Sequence, residues 1–193
     1  MSQPKPTNRI VKLMETKRIY LRPFETTDVE AYYPSLFDAE LRRLTGTQRS
    51  FTLAQVERYV ESAAQDDSRL MLLIALQGTH EIIGEVVLMD IHAQNRSAHI
   101  RVAIDQPAHQ GKGYGSEAIL LMLDYGFGIA NLHRIELEVF AFNERAIRTY
   151  EKLGFQREGV KRDVLYYHHQ YHDAILMSIL EDEFRRRHLT TSE

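Results

Sequence analysis

The sequence predicts an α/β fold: a mixed, mostly antiparallel central sheet of about seven strands with helices on both faces. Three observations carry this reading. Apolar runs of strand length alternate with amphipathic runs of helix length along the whole chain, instead of collecting in separate blocks. Near the front and again near the back, strand-like runs are separated by a few polar residues, 77–80 and 168–170, which is hairpin spacing. Between these hairpins lie strand–helix–strand crossovers, which join parallel neighbours, so the sheet is mixed and not uniformly parallel and doubly wound.

The elements follow in order. Arg18-Ile19-Tyr20-Leu21-Arg22 alternates and forms a first strand closed by Pro23. Thr26 or Thr27 then caps a helix reaching about Phe37. A second helix opens at Phe51-Thr52-Leu53, with Thr52 as N-cap, Gln55 as its capping-box partner, and Val56, Tyr59, Val60 and Ala63 on one face. Leu70 to Leu76 and Glu81 to Met89 are the arms of the first hairpin, and Ala98 to Ile104 is a fourth strand. Ile119, Leu120, Leu123 and Phe127 recur at helical spacing until Gly128 and Asn131 stop the run. Ile135 to Phe140 returns to strand, and Asn143 to Lys152 is a short helix with Asn143 as N-cap and Gly154 as the residue after its end. A strand starts at Phe155, the last hairpin has arms Gly159 to Tyr167 and Tyr171 to Ile179, and Glu181 to His188 reads as a polar, arginine-rich tail.

Composition narrows the function classes. With 193 residues, 44% hydrophobic and 26% charged, the chain can bury one good core. The expected organisation is a flexible N-terminus over 1–15, a single domain over 16–184 and a polar C-terminal tail over 185–193. No apolar run approaches the roughly 20 residues that cross a bilayer, and Met1-Ser2-Gln3-Pro4-Lys5-Pro6 lacks the apolar segment of a secretory signal, so the cytoplasm is the expected location and no membrane partner is expected. Cysteine is absent, which excludes a disulfide framework and a thiol nucleophile. A net charge of −3 gives no basic excess for a nucleic-acid partner.

The chemistry is concentrated at Gln110-Gly111-Lys112-Gly113-Tyr114-Gly115, between a strand and a long helix. Alternate glycines let successive N–H groups converge on an anion at the helix start, which suits a pyrophosphate. A P-loop would need glycine where Gln106 stands and Ser or Thr where Gly113 stands. A dinucleotide fingerprint would need Gly or Ala at Ser116. What Gln110, Gly113 and Gly115 satisfy is the coenzyme A signature of the GNAT N-acetyltransferases: Gln or Arg, two residues, Gly, one residue, Gly or Ala. Asn143-Glu144-Arg145-Ala146-Ile147-Arg148-Thr149-Tyr150-Glu151-Lys152-Leu153-Gly154-Phe155 strongly resembles the same family's later helix and turn. The resemblance covers roughly residues 16 to 184, and Tyr171 to Met177 is similar to the subgroup that acetylates ribosomal-protein N-termini and polyamines.

That resemblance implies acetyl-CoA as cosubstrate and direct transfer to a primary amine in a ternary complex. It implies that the fourth and fifth strands run parallel and splay, that backbone groups of Val102-Ala103-Ile104 bond the pantetheine, and that the N–H groups of Gln110 through Gly115 take the pyrophosphate, with Lys112 adding charge. A helix dipole there contributes about 0.3 to 1 kcal/mol. It further implies that Asn143 bonds the pantetheine, that Ala146 leaves room for it and that Lys152 reaches the adenosine phosphates. Tyr150 matches the family's general acid, placed to protonate the departing thiolate.

An amine of ordinary pKa is about one part in a thousand unprotonated at neutral pH, so a base is needed. Two residues compete for the role. Glu138 lies where some ribosomal-protein acetyltransferases carry their proposed base, and strand alternation puts it on one face with Glu136. His99 stands where many relatives carry a glutamate, and imidazole suits proton transfer near neutrality. Family architecture puts the acceptor among residues 36–49 and 161–172, where Arg42, Arg43, Arg49, Lys161 and Arg162 outnumber Asp38, Glu40 and Asp163. That balance is a poor match to a polycationic polyamine and suits a peptide N-terminus or a small amine better. The leading expectation is a protein N-terminus of the ribosomal-protein type, with a small-amine or polyamine acetyltransferase as the alternative. A non-catalytic acyl-CoA-binding module is the reading from a different class. Tyr166, Tyr167, His168, His169, Tyr171 and His172 are not expected to hold a metal, because adjacent strand residues face opposite ways. Apolar residues of the late hairpin could pair two copies as a homodimer, while its Lys, Arg and His residues would blunt the same edge.

Overall fold

A two-residue strand, Met14–Glu15 (β1), pairs antiparallel with Ile19–Pro23 (β2), whose Ile19, Tyr20 and Leu21 are fully buried. The structure, a computed structural model, describes residues 11–189, so most of the N-terminus expected as flexible over 1–15 falls outside it and the described part ends in β1. A strand of two residues is too short to carry a hydrophobic period, which is why the sequence pattern misses it.

The single helix expected from Thr26 or Thr27 to Phe37 is instead three short pieces: a 3-10 turn at Thr26–Asp28, one α-helical turn at Val29–Tyr32 (α1) and a second 3-10 turn at Tyr33–Phe37. Its cap is Glu25, not a threonine. The Glu25 N–H donates to Asp28 Oδ2 at 2.9 Å, and Arg22 holds both Asp28 oxygens at 2.7 and 2.6 Å. Pro34 has no N–H to give, so α-helical bonding cannot run through the next turn. Ala39–Thr45 (α2) is a further helix that the sequence reading lacks. Asp38 caps it by accepting from Leu41 N at 2.7 Å and Gly46 ends it at φ 67°, but only Ala39, Leu41 and Leu44 give it an apolar side. Leu53–Ala63 (α3) begins as expected, with reciprocal capping bonds of 3.3 and 2.9 Å between Thr52 and Gln55.

The remaining strands are Leu70–Leu76 (β3), Ile82–His92 (β4), Ser97–Ile104 (β5), Arg134–Phe140 (β6), Gln156–Tyr167 (β7) and Gln170–Leu180 (β8). They form one sheet in the order β1-β2-β3-β4-β5-β6-β8-β7, antiparallel throughout except for β5 beside β6. This is the expected mixed sheet with β1 added. The strand from Phe155 and the hairpin arm from Gly159 are one strand, β7, whose pairing with β8 shifts register at Arg157/Gly159 and again at Lys161/Leu165. Its turn consists of His168 and His169, both at positive φ, so the two histidines are turn residues and not strand neighbours.

Helices cover the sheet on both faces. Tyr114–Gly128 (α4) and Glu144–Leu153 (α5) place Ile119, Met122, Leu123 and Ile147 over Ile74, Leu88, Ile135 and Met177. On the other face Val29, Val56 and Val60 from α1 and α3 meet Met71, Leu73 and Val87. The tail expected to be polar contains an anchor. Glu181–Phe184 (α6) buries Phe184 against Phe127 with ring centroids 5.4 Å apart. A π-helical turn over Arg185–Leu189 follows, and its Arg187 and His188 side chains bond the carbonyls of Lys152 and Leu153 at 2.8 and 2.9 Å.

Truncating this anchor tests whether the tail belongs to the fold. Phe184→Ala is expected to cost about 3 kcal/mol, as other buried aromatic truncations do, read as a lower midpoint in urea. A solvated tail would give a change within about 0.5 kcal/mol.

Candidate active site

β5 and β6 are paired only at Ser97↔Arg134, Ala98↔Ile135 and His99↔Glu136. Beyond that point β5 stays with β4 as far as Ile104 and β6 stays with β8 as far as Phe140, so the two strands diverge. Their facing edges then have backbone donors and acceptors with no strand partner, and such groups need something to bond. The gap is a cleft of about 520 Å³. Val102, Ala103 and Ile104 line one side, and Glu138, Val139 and Phe140 line the other. The starts of α4 and α5, which follow these diverging strands in the chain, also border it, through Gly113 to Ser116 and Asn143 to Ala146.

The glycine loop forms the phosphate-like end. Gly111 at φ 77° and Gly113 at φ 87° take left-handed conformations, and Gly113 is the N-cap of α4, so the first-turn N–H groups are free of intrahelical partners. Two guanidinium groups lie against this loop. A Cβ at Gly111 would come 3.2 Å from Arg145 Nη2, and one at Gly113 would come 3.1 Å from Arg18 Nη2. Arg18 also donates to Lys112 O at 2.9 Å and pairs with Glu117, which Thr16 bonds at 2.7 Å. The donor set therefore fits a polyphosphate. Gln110, Gly111, Gly113, Tyr114 and Gly115 all border the cleft, with Gln110 Nε2 tied to Ile104 O at 3.1 Å. Lys112 does not line it, and its carbonyl is the part in use.

Tyr150, Ala146 and Asn143 also line the cleft, while Asn143 caps α5 by accepting from Ala146 N at 3.2 Å. Burial pushes the Tyr150 phenol up to about 12, and its ring meets Phe155 edge-on at 5.8 Å. Lys152 sits in the last turn of α5, away from the cleft, with its carbonyl taken by Arg187. Of the two candidate bases, Glu138 lines the cleft and is paired with Lys161. His99 stands where β5 and β6 part and does not line the cleft. Its ring is engaged by Glu136 and lies 3.4 Å from Asp90. Glu136 in turn belongs to a network with Arg134, Glu158 and Ser178.

A second cavity, of about 410 Å³, adjoins the cleft, and Leu41, Thr45, Arg101 and Ala103 line both. One wall comes from α1, α2 and α3; of the two segments expected around the acceptor, 36–49 contributes to it through residues such as Leu36, Arg42 and Arg49, but no residue of the late hairpin lines it. Besides Arg42 and Arg49, charge in this cavity comes from Glu85, Arg101 and Asp105, which the sequence reading passes over. Glu85 of β4 is buried at 4% exposure, accepts from Arg101 Nη2 at 2.7 Å and from the Tyr32 hydroxyl at 3.2 Å. Glu85 beside Arg101 holds the guanidinium above its ordinary value, while burial and then Glu85 push Tyr32 up. Asp105, just past β5, also lines the cavity, and burial followed by the nearby Glu85 pushes its carboxyl up to about 7. The available signal was a lone carboxylate in the apolar run Ile82-Ile83-Gly84-Glu85-Val86-Val87, since a charge in a buried strand demands a partner. Asp105 gave none, because before Gln106-Pro107 it reads as an ordinary turn residue.

Comparison with known proteins agrees with this geometry. The family model described as an acetyltransferase (GNAT) domain matches residues 18–156. The spermidine N(1)-acetyltransferase of Escherichia coli (strain K12) is 30% identical over 175 residues, covering 91% of this chain and 92% of that protein. An uncharacterized N-acetyltransferase of Bacillus subtilis (strain 168) is 30% identical over 172 residues, 88% of this chain and 97% of its own length. Among solved structures, the spermidine N-acetyltransferase of Vibrio cholerae in complex with CoA and spermine superposes with a TM-score of 0.83 at 27% identity, covering 88% of this chain and 99% of that one.

The guanidinium over the glycine loop is directly testable. Arg145→Ala is expected to weaken CoA binding about tenfold by calorimetry, equivalent to roughly 1.4 kcal/mol. Lys152→Ala should leave it within about twofold, since one solvated surface charge contributes little.

Proposed function

The chain belongs to the GNAT acetyltransferase family and is an acetyl-CoA-dependent N-acetyltransferase, and from that premise we propose that its acceptor is a polyamine or a closely related cationic amine. The observation that carries the reading is the pair of carboxylates, Glu85 and Asp105, in the cavity that adjoins the cleft. A buried carboxylate attracts an ammonium group more strongly than a solvated one does, because less water screens the pair. The names of the spermidine acetyltransferases that match along almost the whole chain support the same acceptor class. The peptide N-terminus favoured by the sequence rests on a count over 36–49 and 161–172, whereas Glu85 lies on β4 and Asp105 just past the end of β5. The reading as a binding module without turnover is set aside, since the chain is an enzyme of this family.

One observation favours a second acceptor chemistry. Arg42 and Arg49 line the cavity from α2 and the loop after it, with Arg42 bonded to the carbonyls of Leu36 and Arg49 at 3.1 and 2.9 Å. A cavity with carboxylates on its sheet side and guanidinium groups on its helix side also suits a zwitterion, such as an amino acid or a short peptide.

Within the transfer itself we assign the cleft residues as follows. Backbone groups of Val102, Ala103 and Ile104 hold the pantetheine arm, and the glycine loop with Arg145 holds the pyrophosphate. Asn143 and Ala146 flank the arm. Tyr150 is neutral at any working pH, because burial keeps its phenol protonated, so it presents an O–H donor to the sulfur as negative charge develops there.

Thiol release from acetyl-CoA across a panel of spermidine, spermine, small amines, amino acids and ribosomal-protein N-terminal peptides separates the readings. Polyamines should show the highest kcat/KM. Fastest release with the peptides would restore the N-terminal reading, and fastest release with amino acids would favour the zwitterion. Tyr150→Phe should lower kcat about 100-fold while leaving acetyl-CoA binding intact.

A further inference from the structure

An ammonium group must lose a proton before its nitrogen can attack a thioester, and both bases suggested by the sequence are already engaged: Glu138 by Lys161, His99 by Glu136. In the second cavity the two carboxylates differ in the same respect. Both oxygens of Glu85 are occupied, one by Arg101 and the other by the Tyr32 hydroxyl. A carboxylate with two donors, one of them a guanidinium, is a poor proton acceptor. Asp105 Oδ1 is buried and has no hydrogen-bond partner among the described residues. A buried acceptor with nothing to bond carries a desolvation penalty that a donor from the substrate, or a proton, removes.

We propose that Asp105 takes the proton from the acceptor's ammonium group and is the general base of the transfer. The proposal rests on the second cavity's being the acceptor site. Ala103, two residues before Asp105, lines both the cleft and the cavity, so Asp105 stands just past the end of β5, next to the stretch of strand where the two spaces meet. The step balances. One ammonium N–H bond breaks and an O–H bond forms on Asp105. The freed nitrogen lone pair forms the C–N bond as the C–S bond breaks with its electron pair on sulfur. Tyr150 gives its proton to that sulfur and takes back the one the new amide nitrogen sheds, and Asp105 releases its proton to solvent when the products leave.

The surroundings suit this role. Burial and then Glu85 from β4 raise the proton affinity of Asp105, and the Arg101 guanidinium from β5 is bonded to Glu85. Tyr32 from α1, whose phenol burial keeps protonated, and Tyr59 from α3 line the same space, and Arg42 and Arg49 supply positive charge from α2 and the following loop. A carboxyl titrating at about 7 matches a base that works near neutrality.

The test is the pH dependence of kcat/KM from pH 5.5 to 9.5, with spermidine and with an aromatic amine that is already unprotonated at neutral pH. The unsubstituted enzyme should show an acidic limb with spermidine centred near pH 7. Asp105→Asn should abolish that limb and lower kcat/KM for spermidine about 100-fold at pH 7.5. It should change turnover of the aromatic amine less than about threefold and leave KM for acetyl-CoA unaltered. Asp105→Glu, which keeps a carboxylate, should recover the limb. An intact limb in Asp105→Asn, an equal loss with both amines, or a limb that disappears in Glu138→Gln instead would overturn the proposal. Failure of the acceptor reading looks different, because the unsubstituted enzyme would then ignore spermidine while turning over another amine, with which the same profile is measured.

Discussion

Everything functional in this molecule depends on β5 and β6 parting after three residue pairs, Ser97↔Arg134 to His99↔Glu136. Separating two strands in the middle of a sheet leaves backbone groups unbonded, so each half must be stable without the other. β5 is carried by β4, and β6 by an unbroken antiparallel register with β8 from Arg134↔Leu180 to Phe140↔Ala174. The end of β6 is also held on its outer side, where Phe140 stacks on Phe142, Phe142 meets His172, and Arg43 lies over the Phe142 ring. α4 and α5 then pack one core across both halves, which keeps the opening at a set width.

The divergence also separates charges. The two helix starts and the guanidinium groups of Arg18 and Arg145 make the cleft's loop end attractive to anions, while the adjoining cavity sets Glu85 and Asp105 beside Arg42, Arg49 and Arg101. On the proposed reading, an acyl donor that carries phosphates and an acceptor that carries an ammonium group occupy neighbouring spaces with Ala103 between them. On that reading the arrangement would bring the two substrates together by position, which suits direct transfer in a chain with no cysteine to carry the acyl group.

What was legible in the sequence was local. Capping pairs such as Thr52 with Gln55 and Asn143 with Ala146, glycines at positive φ such as Gly113 and Gly154, and alternating strands all depend on residues within a few positions of one another. The cleft was legible because its residues sit in two contiguous motifs, 110–115 and 143–155, each at the start of a helix. The turn-by-turn breakup after Pro23, the helix α2 and the burial of Phe184 were not: Pro34 interrupts a run that otherwise reads as one helix, α2 has too few apolar residues to show a period, and Phe184 is an isolated apolar residue in a polar stretch. The same holds for the acceptor cavity. Glu85, Arg101, Tyr32 and Asp105 come from separate elements, and only the antiparallel register, which sets Glu85 opposite Ala103, collects them.

The most direct test is a crystal structure with a bisubstrate analogue in which the acetyl carbons link spermidine nitrogen to the sulfur of CoA. The account predicts the pantetheine arm between β5 and β6, the pyrophosphate on the 110–115 loop against Arg145, and a spermidine amine within hydrogen-bonding distance of Asp105. A spermidine chain lying along the β7–β8 hairpin, with the Glu85 and Asp105 cavity empty, would contradict it.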